Sequence, residues 1–155
     1  MKLLVCGAMG FIGSTFIRNH KDKNPNDHIT NVDSLTTGSN IKNLEKIDKT
    51  DYQFVEASIT DSEVVNKLAS DIDFIVNFAA ETHVDRSISN SEKFVQTNIV
   101  GTHTLLEAAK KHEKLFIHIS TDEIYGDAEN QESFTEKSLL KPSNPYSATK
   151  AAADH

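Results

Sequence analysis

Cysteine, proline and glycine are all scarce in this chain of 155 residues, with one Cys, three Pro and six Gly. A single thiol, Cys6, closes no internal disulfide and leaves a structural zinc site without its usual sulfur ligands, so no metal is expected. Little Pro and Gly, beside 37% hydrophobic and 25% charged residues, argues against collagen-like, low-complexity and disordered chains. Basic charge is short as well: 16 Lys and Arg stand against 23 Asp and Glu, a net −7 with His neutral. That balance argues against a protein that grips nucleic acid by its phosphates. No apolar run approaches the ~20 residues of a membrane span, and the chain opens on a strand-like stretch rather than a signal peptide. The expectation is one soluble, cytoplasmic domain with no membrane partner.

What is present is an alternation of short apolar runs with helical patterns, the mark of βαβ units and a parallel sheet. Strands are expected at residues 2–6, 29–32, 52–55, 72–76 and 115–119, and helices at 11–20 and 92–111. Another helix follows Thr60-Asp-Ser-Glu63, a capping-box pattern, with Val64, Val65, Leu68 and Ala69 at helical spacing. Residues 36–43 and 126–145 read as loops. A last helix begins near Tyr146 and runs to the final residue without a stop signal, so the sequence reads as the N-terminal piece of something longer. The fold class is therefore α/β: a Rossmann-type doubly wound parallel sheet with helices on both faces, incomplete at its C-terminus.

Gly7-Ala-Met-Gly10-Phe11-Ile12-Gly13 sits between the first strand and the first helix. A turn this tight needs permissive backbone angles, and a pyrophosphate must come close to bare N–H groups at a helix N-terminus. Asp33 ends the next strand, 20 residues past Gly13. A carboxylate there can accept from both ribose hydroxyls of NAD and would repel a 2′-phosphate. Neither Ser34 nor Leu35 is basic, so NAD is favoured over NADP. The plainer alternative is a structural turn, with Asp33 as its cap.

Tyr146 and Lys150 stand at i and i+4 at the start of the last helix, on one face. A fixed cation favours the phenolate and brings a group that titrates near pH ~10 into working range. Such a spacing also arises by chance. Ser120-Thr121-Asp122-Glu123 follows the fifth strand, at the sheet edge where open α/β folds bind ligands. Two adjacent carboxylates divide acid and base roles when their surroundings separate their pKa values; alternatively they cap the following turn.

Taken together, three blocks give the chain a family likeness: Ala79-Ala-Glu-Thr-His-Val-Asp-Arg-Ser87, Ser120-Thr-Asp-Glu-Ile-Tyr-Gly-Asp127 and Pro145-Tyr-Ser-Ala-Thr-Lys-Ala-Ala-Ala-Asp-His155, with Thr97-Asn98-Ile-Val-Gly-Thr102 in support. Over essentially its whole length the chain resembles the extended short-chain dehydrogenase/reductases, and within them the dTDP-glucose 4,6-dehydratases. The resemblance implies that Tyr146 takes the C4 hydroxyl proton of the sugar while hydride passes to NAD, with Lys150 lowering the tyrosine's pKa. Glu123 then removes the C5 proton, Asp122 protonates the departing C6 hydroxyl, and hydride returns to C6. Thr82 and Thr121 would contact the hexose. Gly7, Gly10, Phe11, Ile12, Gly13, Asp33, Ser34, Leu35, Thr36, Ser58, Ile59, Phe78, Ala79, Ala80 and Thr97 would line the NAD site, together with Tyr146 and Lys150. Cys6 replaces the Thr that usually opens the glycine motif. Ser58 replaces an Asp, removing a carboxylate acceptor for the adenine amino group.

Family members are substantially longer, and their C-terminal part holds the substrate's nucleotide. Residues 1–155 then correspond to an NAD-binding Rossmann domain, expected to show no appreciable turnover alone. Full-length relatives dimerise through helices flanking the sheet, which makes the 92–111 helix and the last helix candidate interface elements of a homodimer. Rivals are a 4-epimerase, a dehydratase of another nucleotide sugar, and a non-catalytic dinucleotide-binding fragment. An epimerase needs Tyr146 and Lys150 but no acid–base pair. The scattered histidines are read as structural, Asp85 and Arg86 as a loop ion pair, Lys110 and Lys111 as cations closing a helix, and Cys6 as a small buried residue.

Overall fold

The computed structural model describes residues 1–128 and 133–155; part of the expected 126–145 loop lies outside the described residues. The chain divides into two compact units, one of residues 1–79 and 101–119, the other of residues 80–100 and 120–155.

The first unit holds five parallel strands: β1 Lys2–Cys6, β2 His28–Asp33, β3 Tyr52–Glu56, β4 Phe74–Asn77 and β5 Leu115–His118, in the order β3-β2-β1-β4-β5. Alternation of side chains along β1 builds two cores. Leu4 and Cys6 face Val65, Ala69, Leu105 and Ala108, from helices α2 (Ser62–Ala69) and α5 (Thr102–Lys111). Leu3 and Val5 face the other way, onto Ile17 of α1 (Phe11–Lys23) and Leu44 of a 3₁₀ turn at Ile41–Leu44. Helices thus cover both faces, the Rossmann-type arrangement that the alternation predicts. Register is direct, with Leu3 opposite Ile29 and Phe74. Because the chain winds from β1 outward to β3 and returns to β4 on the other side of β1, the order reverses between β1 and β4. That reversal is the ligand-binding position of open α/β sheets.

The second unit holds α3 (Val84–Ser89), α4 (Ser91–Phe94) with the π-helical turn Val95–Gly101 that follows it, a 3₁₀ turn at Asp122–Tyr125, and α6 (Pro145–Asp154). Its interior is unusually polar: Ser87, Asn98, Ser147, Thr149 and Lys150 are buried beside Phe94, Ile124 and Ala151.

Helix α3 is not expected from the sequence, some strand bounds shift by one or two residues, and four further details differ from the sequence reading. The cap of α2 is Asp61, whose carboxylate accepts from Glu63 N–H at 3.2 Å and Val64 N–H at 3.1 Å, so the capping box does not start at Thr60. A carboxylate at that position outcompetes a hydroxyl because the helix N-terminus favours negative charge. Arg86 lies on a helix and pairs with the buried Glu81 at 3.1 Å, not with Asp85; neighbours one residue apart on a helix point away from each other. The third difference is the 3₁₀ turn that closes the 36–43 loop. The fourth is that the 92–111 helix changes pitch to a π turn ending at Gly101.

Candidate functional site

In the first unit the turn after β1 is shaped by what it cannot hold. Gly7 has φ +77°, and a Cβ there would stand 2.5 Å from the Ala79 nitrogen and 2.6 Å from its Cα. A Cβ on Gly13 would lie 2.7 Å from the Ala8 Cα and 2.8 Å from the Gly7 carbonyl. Both glycines are therefore required for close approach, the first of β1's end to the segment after β4, the second of α1 to the turn. Gly10 caps α1 without a side-chain hydrogen bond, and no acidic residue occupies the first turn. The helix N-terminus keeps its free N–H groups and positive end. Phe11 and Ile12, on that first turn, are 82% and 62% exposed.

Asp33 is buried at the end of β2. One carboxylate oxygen accepts from Met9 N–H at 2.9 Å, and the other from Leu35 N–H and the Ser39 hydroxyl, both at 2.8 Å. Three of about four acceptor positions are thus filled. One acceptor position remains, so the expected pair of ribose hydrogen bonds would require one of the present donors to give way. The Asn31 side chain accepts from Ala8 N–H at 3.3 Å, so two residues of β2 hold the glycine turn. Ser34 and Thr36 are exposed, and Leu35 has φ +52°. The Ser58 hydroxyl is bonded to that of Thr60 at 2.8 Å. Ile59 is buried in the core, which leaves its backbone as the part able to meet a ligand. Phe78 packs on Phe16, ring centroids 5.3 Å apart, and Ala79 N–H donates to Asn77 at 3.0 Å. Cys6 is fully buried; burial, then the nearby Asp33 charge, pushes its thiol up to about 12.

In the second unit α6 opens with Asn144, whose side chain accepts from Ser147 N–H at 2.8 Å while Ser147 Oγ accepts from Asn144 N–H at 3.2 Å. Pro145 fits the first helical position because its missing N–H would have no partner there. Tyr146 is half-buried, edge-on to Phe94 at 6.3 Å. Lys150, one turn on, is buried. Burial pushes its ammonium below the ordinary lysine value, and Asp154 pulls it partly back. Thr121 caps the 3₁₀ turn, accepting from Glu123 N–H at 3.3 Å, and Asp122 and Glu123 are both exposed. Glu123 accepts from the Asn144 amide at 3.4 Å, and the Ser120 hydroxyl donates to Asp154 at 2.5 Å. The acid pair is thereby brought to the helix that carries Tyr146 and Lys150. Thr82 is exposed and Thr97 half-buried on the π turn; Ala80 is half-buried.

Asn98 is the residue whose role the motifs did not reveal. It is buried in the π turn, and its side chain bonds the backbone of Glu81 and the hydroxyl of Thr149. The available signal was a polar side chain inside an apolar helical pattern, three residues before Gly101. Among the described residues no group of three or more His, Cys, Asp and Glu is placed to hold a metal, and no helix is long and apolar enough to cross a membrane.

Comparison with known proteins gives three kinds of match. The family model described as GDP-mannose 4,6 dehydratase matches residues 4–155. The chain is 44% identical to a dTDP-glucose 4,6-dehydratase of Mycobacterium tuberculosis, over 99% of this chain and 47% of the relative. It is 50% identical to the low-salt glycan biosynthesis protein Agl12 of Haloferax volcanii, over 99% of this chain and 50% of the relative. Among solved structures, DesIV, the dTDP-glucose 4,6-dehydratase of Streptomyces venezuelae with NAD and TYD bound, superimposes with a TM-score of 0.95 at 42% identity, over 99% of this chain and 49% of that one. The chain spans about half the length of the curated relatives it matches.

Proposed function

The chain belongs to the GDP-mannose 4,6 dehydratase family, and we propose that it forms the N-terminal half of a nucleotide-sugar 4,6-dehydratase that uses NAD, with dTDP-glucose as substrate. The observation that carries the reading is the exposed Asp122–Glu123 pair, whose Glu123 accepts from Asn144, the cap of the helix of Tyr146 and Lys150. A 4-epimerase has no use for an acid and a base beside its tyrosine, whereas an elimination needs both.

The first unit fits a dinucleotide. The uncapped N-terminus of α1 and the glycines that admit no Cβ suit a pyrophosphate, and Asp33 suits an adenosine ribose. Gly7, Gly10, Gly13, Phe11, Ile12, Ser34, Leu35, Thr36, Ser58, Ile59, Phe78 and Ala79 are assigned to the same cofactor, and the family resemblance adds Ala80 and Thr97, which belong to the second unit. NAD supplies a hydride acceptor at C4 and a hydride donor at C6, with no net oxidation.

Tyr146 takes the C4 hydroxyl proton, with the Lys150 side chain one helical turn on, on the same helix face. The C4 ketone acidifies the neighbouring C5–H, which Glu123 removes. Asp122 protonates the C6 hydroxyl as it leaves as water, and Thr82 and Thr121 hold the hexose. The proton held on Glu123 would return to C5 as hydride is delivered to C6, giving a 4-keto-6-deoxy sugar, consistent with deoxysugar supply for a surface polysaccharide of the dTDP-rhamnose type. The full-length protein is read as a cytoplasmic homodimer.

Glu123→Gln in the full-length parent tests this. C4 oxidation should proceed, seen as reduced nicotinamide, while elimination stops. Normal dehydration by that variant removes the base assignment, and absence of any 4-keto product from the wild type removes the dehydratase reading.

A further inference from the structure

Asn144 is held in one amide orientation. Its oxygen is committed to the Ser147 N–H at 2.8 Å as the cap of α6, so its NH₂ must face the other way. On that side lies the Glu123 carboxylate, 3.4 Å away. The neighbouring backbone is fixed as well: Lys141 N–H donates to the Ile124 carbonyl at 3.0 Å. Gly126, at φ +80°, leaves no room for a Cβ against the Lys141 carbonyl. Ser, Asp and Asn all serve as helix N-caps. Asp has no proton to donate, and Ser must accept and donate through one oxygen on a side chain one atom shorter. Asn caps with its oxygen and donates from a separate NH₂ that reaches Glu123.

We propose that Asn144 is the positioning residue of Glu123. Its amide N–H holds one carboxylate oxygen and leaves the other to take the C5 proton. The assignment rests on the proposed dehydratase reading. An exposed glutamate otherwise samples several rotamers, and a base must stand within hydrogen-bond reach of the proton it removes. An amide donor orients the carboxylate without exchanging protons with it.

The contact itself is tested on the 155-residue chain by NMR. Glu123→Ala should move the Asn144 side-chain NH₂ resonances and Asp122→Ala should leave them in place; unmoved resonances in Glu123→Ala overturn the proposal. The role is tested in the full-length parent with Asn144→Ser and Asn144→Asp, which keep a cap. In Asn144→Ser, wash-in of solvent deuterium at C5 should fall about tenfold while C4 oxidation and KM stay at wild-type values. Asn144→Asp, which sets a like charge against Glu123, should fall further. Equal slowing of oxidation and elimination, or an unchanged C5 rate, overturns the proposal. A wild type without 4-keto product, or a fully active Glu123→Gln, sinks the dehydratase reading by a separate result.

Discussion

Asn98 grips Glu81 by both faces of its backbone: the side-chain oxygen accepts from Glu81 N–H at 2.8 Å, and the side-chain nitrogen donates to the Glu81 carbonyl at 3.1 Å. The same nitrogen donates to Thr149 Oγ1 at 3.0 Å, and Thr149 donates to the Tyr146 carbonyl at 2.8 Å. One buried amide therefore links the segment of Thr82 to the helix of Tyr146 and Lys150. Asn98→Leu, of similar volume, would strand the Glu81 N–H and carbonyl in the interior. The expected cost is about 3 kcal/mol, since each buried group left unpaired costs roughly 1–3 kcal/mol. Urea unfolding measures it; a change within experimental error would show that the groups find other partners.

Tyr146→Phe separates structure from chemistry at one atom. The ring keeps its edge contact with Phe94, so the melting temperature should stay near wild type. The full-length parent should lose hydride transfer from C4 by about a hundredfold or more, the usual worth of a positioned proton acceptor. Transient formation of reduced nicotinamide is the readout. An unchanged rate would take Tyr146 out of the scheme.

The sequence made the first unit legible and the second only partly. The inner strands β1, β2 and β4 stand out because both faces of the sheet are covered there, while the half-buried edge strands β3 and β5 show through shorter apolar runs. Lys2–Cys6 was expected with its final bounds. The Gly7 turn and Asp33 stood out because a Rossmann turn leaves few residue choices. By contrast α3 escaped notice: Val84–Ser89 is a six-residue helix with one buried residue, Ser87, too short for an apolar period to show. Sequence spacing pairs Arg86 with its neighbour Asp85 because it does not reveal that Glu81 is buried within reach. Asn98 and Asn144 act through hydrogen bonds to backbone and carboxylate partners that are remote in sequence, and no local pattern encodes such a partner.

Asp33 offers a sharper test of the cofactor reading than the glycines, because its role in the turn and the role proposed for it toward a ribose pull apart. Asp33→Asn sets an NH₂ against at least one of the Met9 and Leu35 N–H groups that now donate to it. NAD affinity, measured by calorimetry, should fall at least tenfold and the protein should lose about 1–3 kcal/mol of stability. Ser39→Ala frees an acceptor position on the same carboxylate and should bind NAD no more weakly than wild type. Weaker binding by Ser39→Ala would mean that the hydroxyl serves the ribose directly.

Cys6 ties alkaline stability to burial. Its thiol titrates near 9 when exposed and about 12 in the fold, mainly because the core withholds water from the thiolate and secondarily because Asp33 repels it. Above pH 9 the unfolded chain releases this proton and the folded chain does not. Stability is therefore fully present below that pH and falls as pH rises toward 12, by about 1.4 kcal/mol per pH unit. Tyr52, also raised by burial, acts in the same direction only above pH 10, so between pH 8 and 10 Cys6→Ala should flatten the slope. Chemical denaturation at pH 8, 9 and 10 gives the comparison. Thiol reagents should label Cys6 only at the rate at which the sheet opens. Rapid labelling of the native protein at pH 8, or equal slopes in Cys6→Ala and wild type, would place Cys6 outside the core of β1.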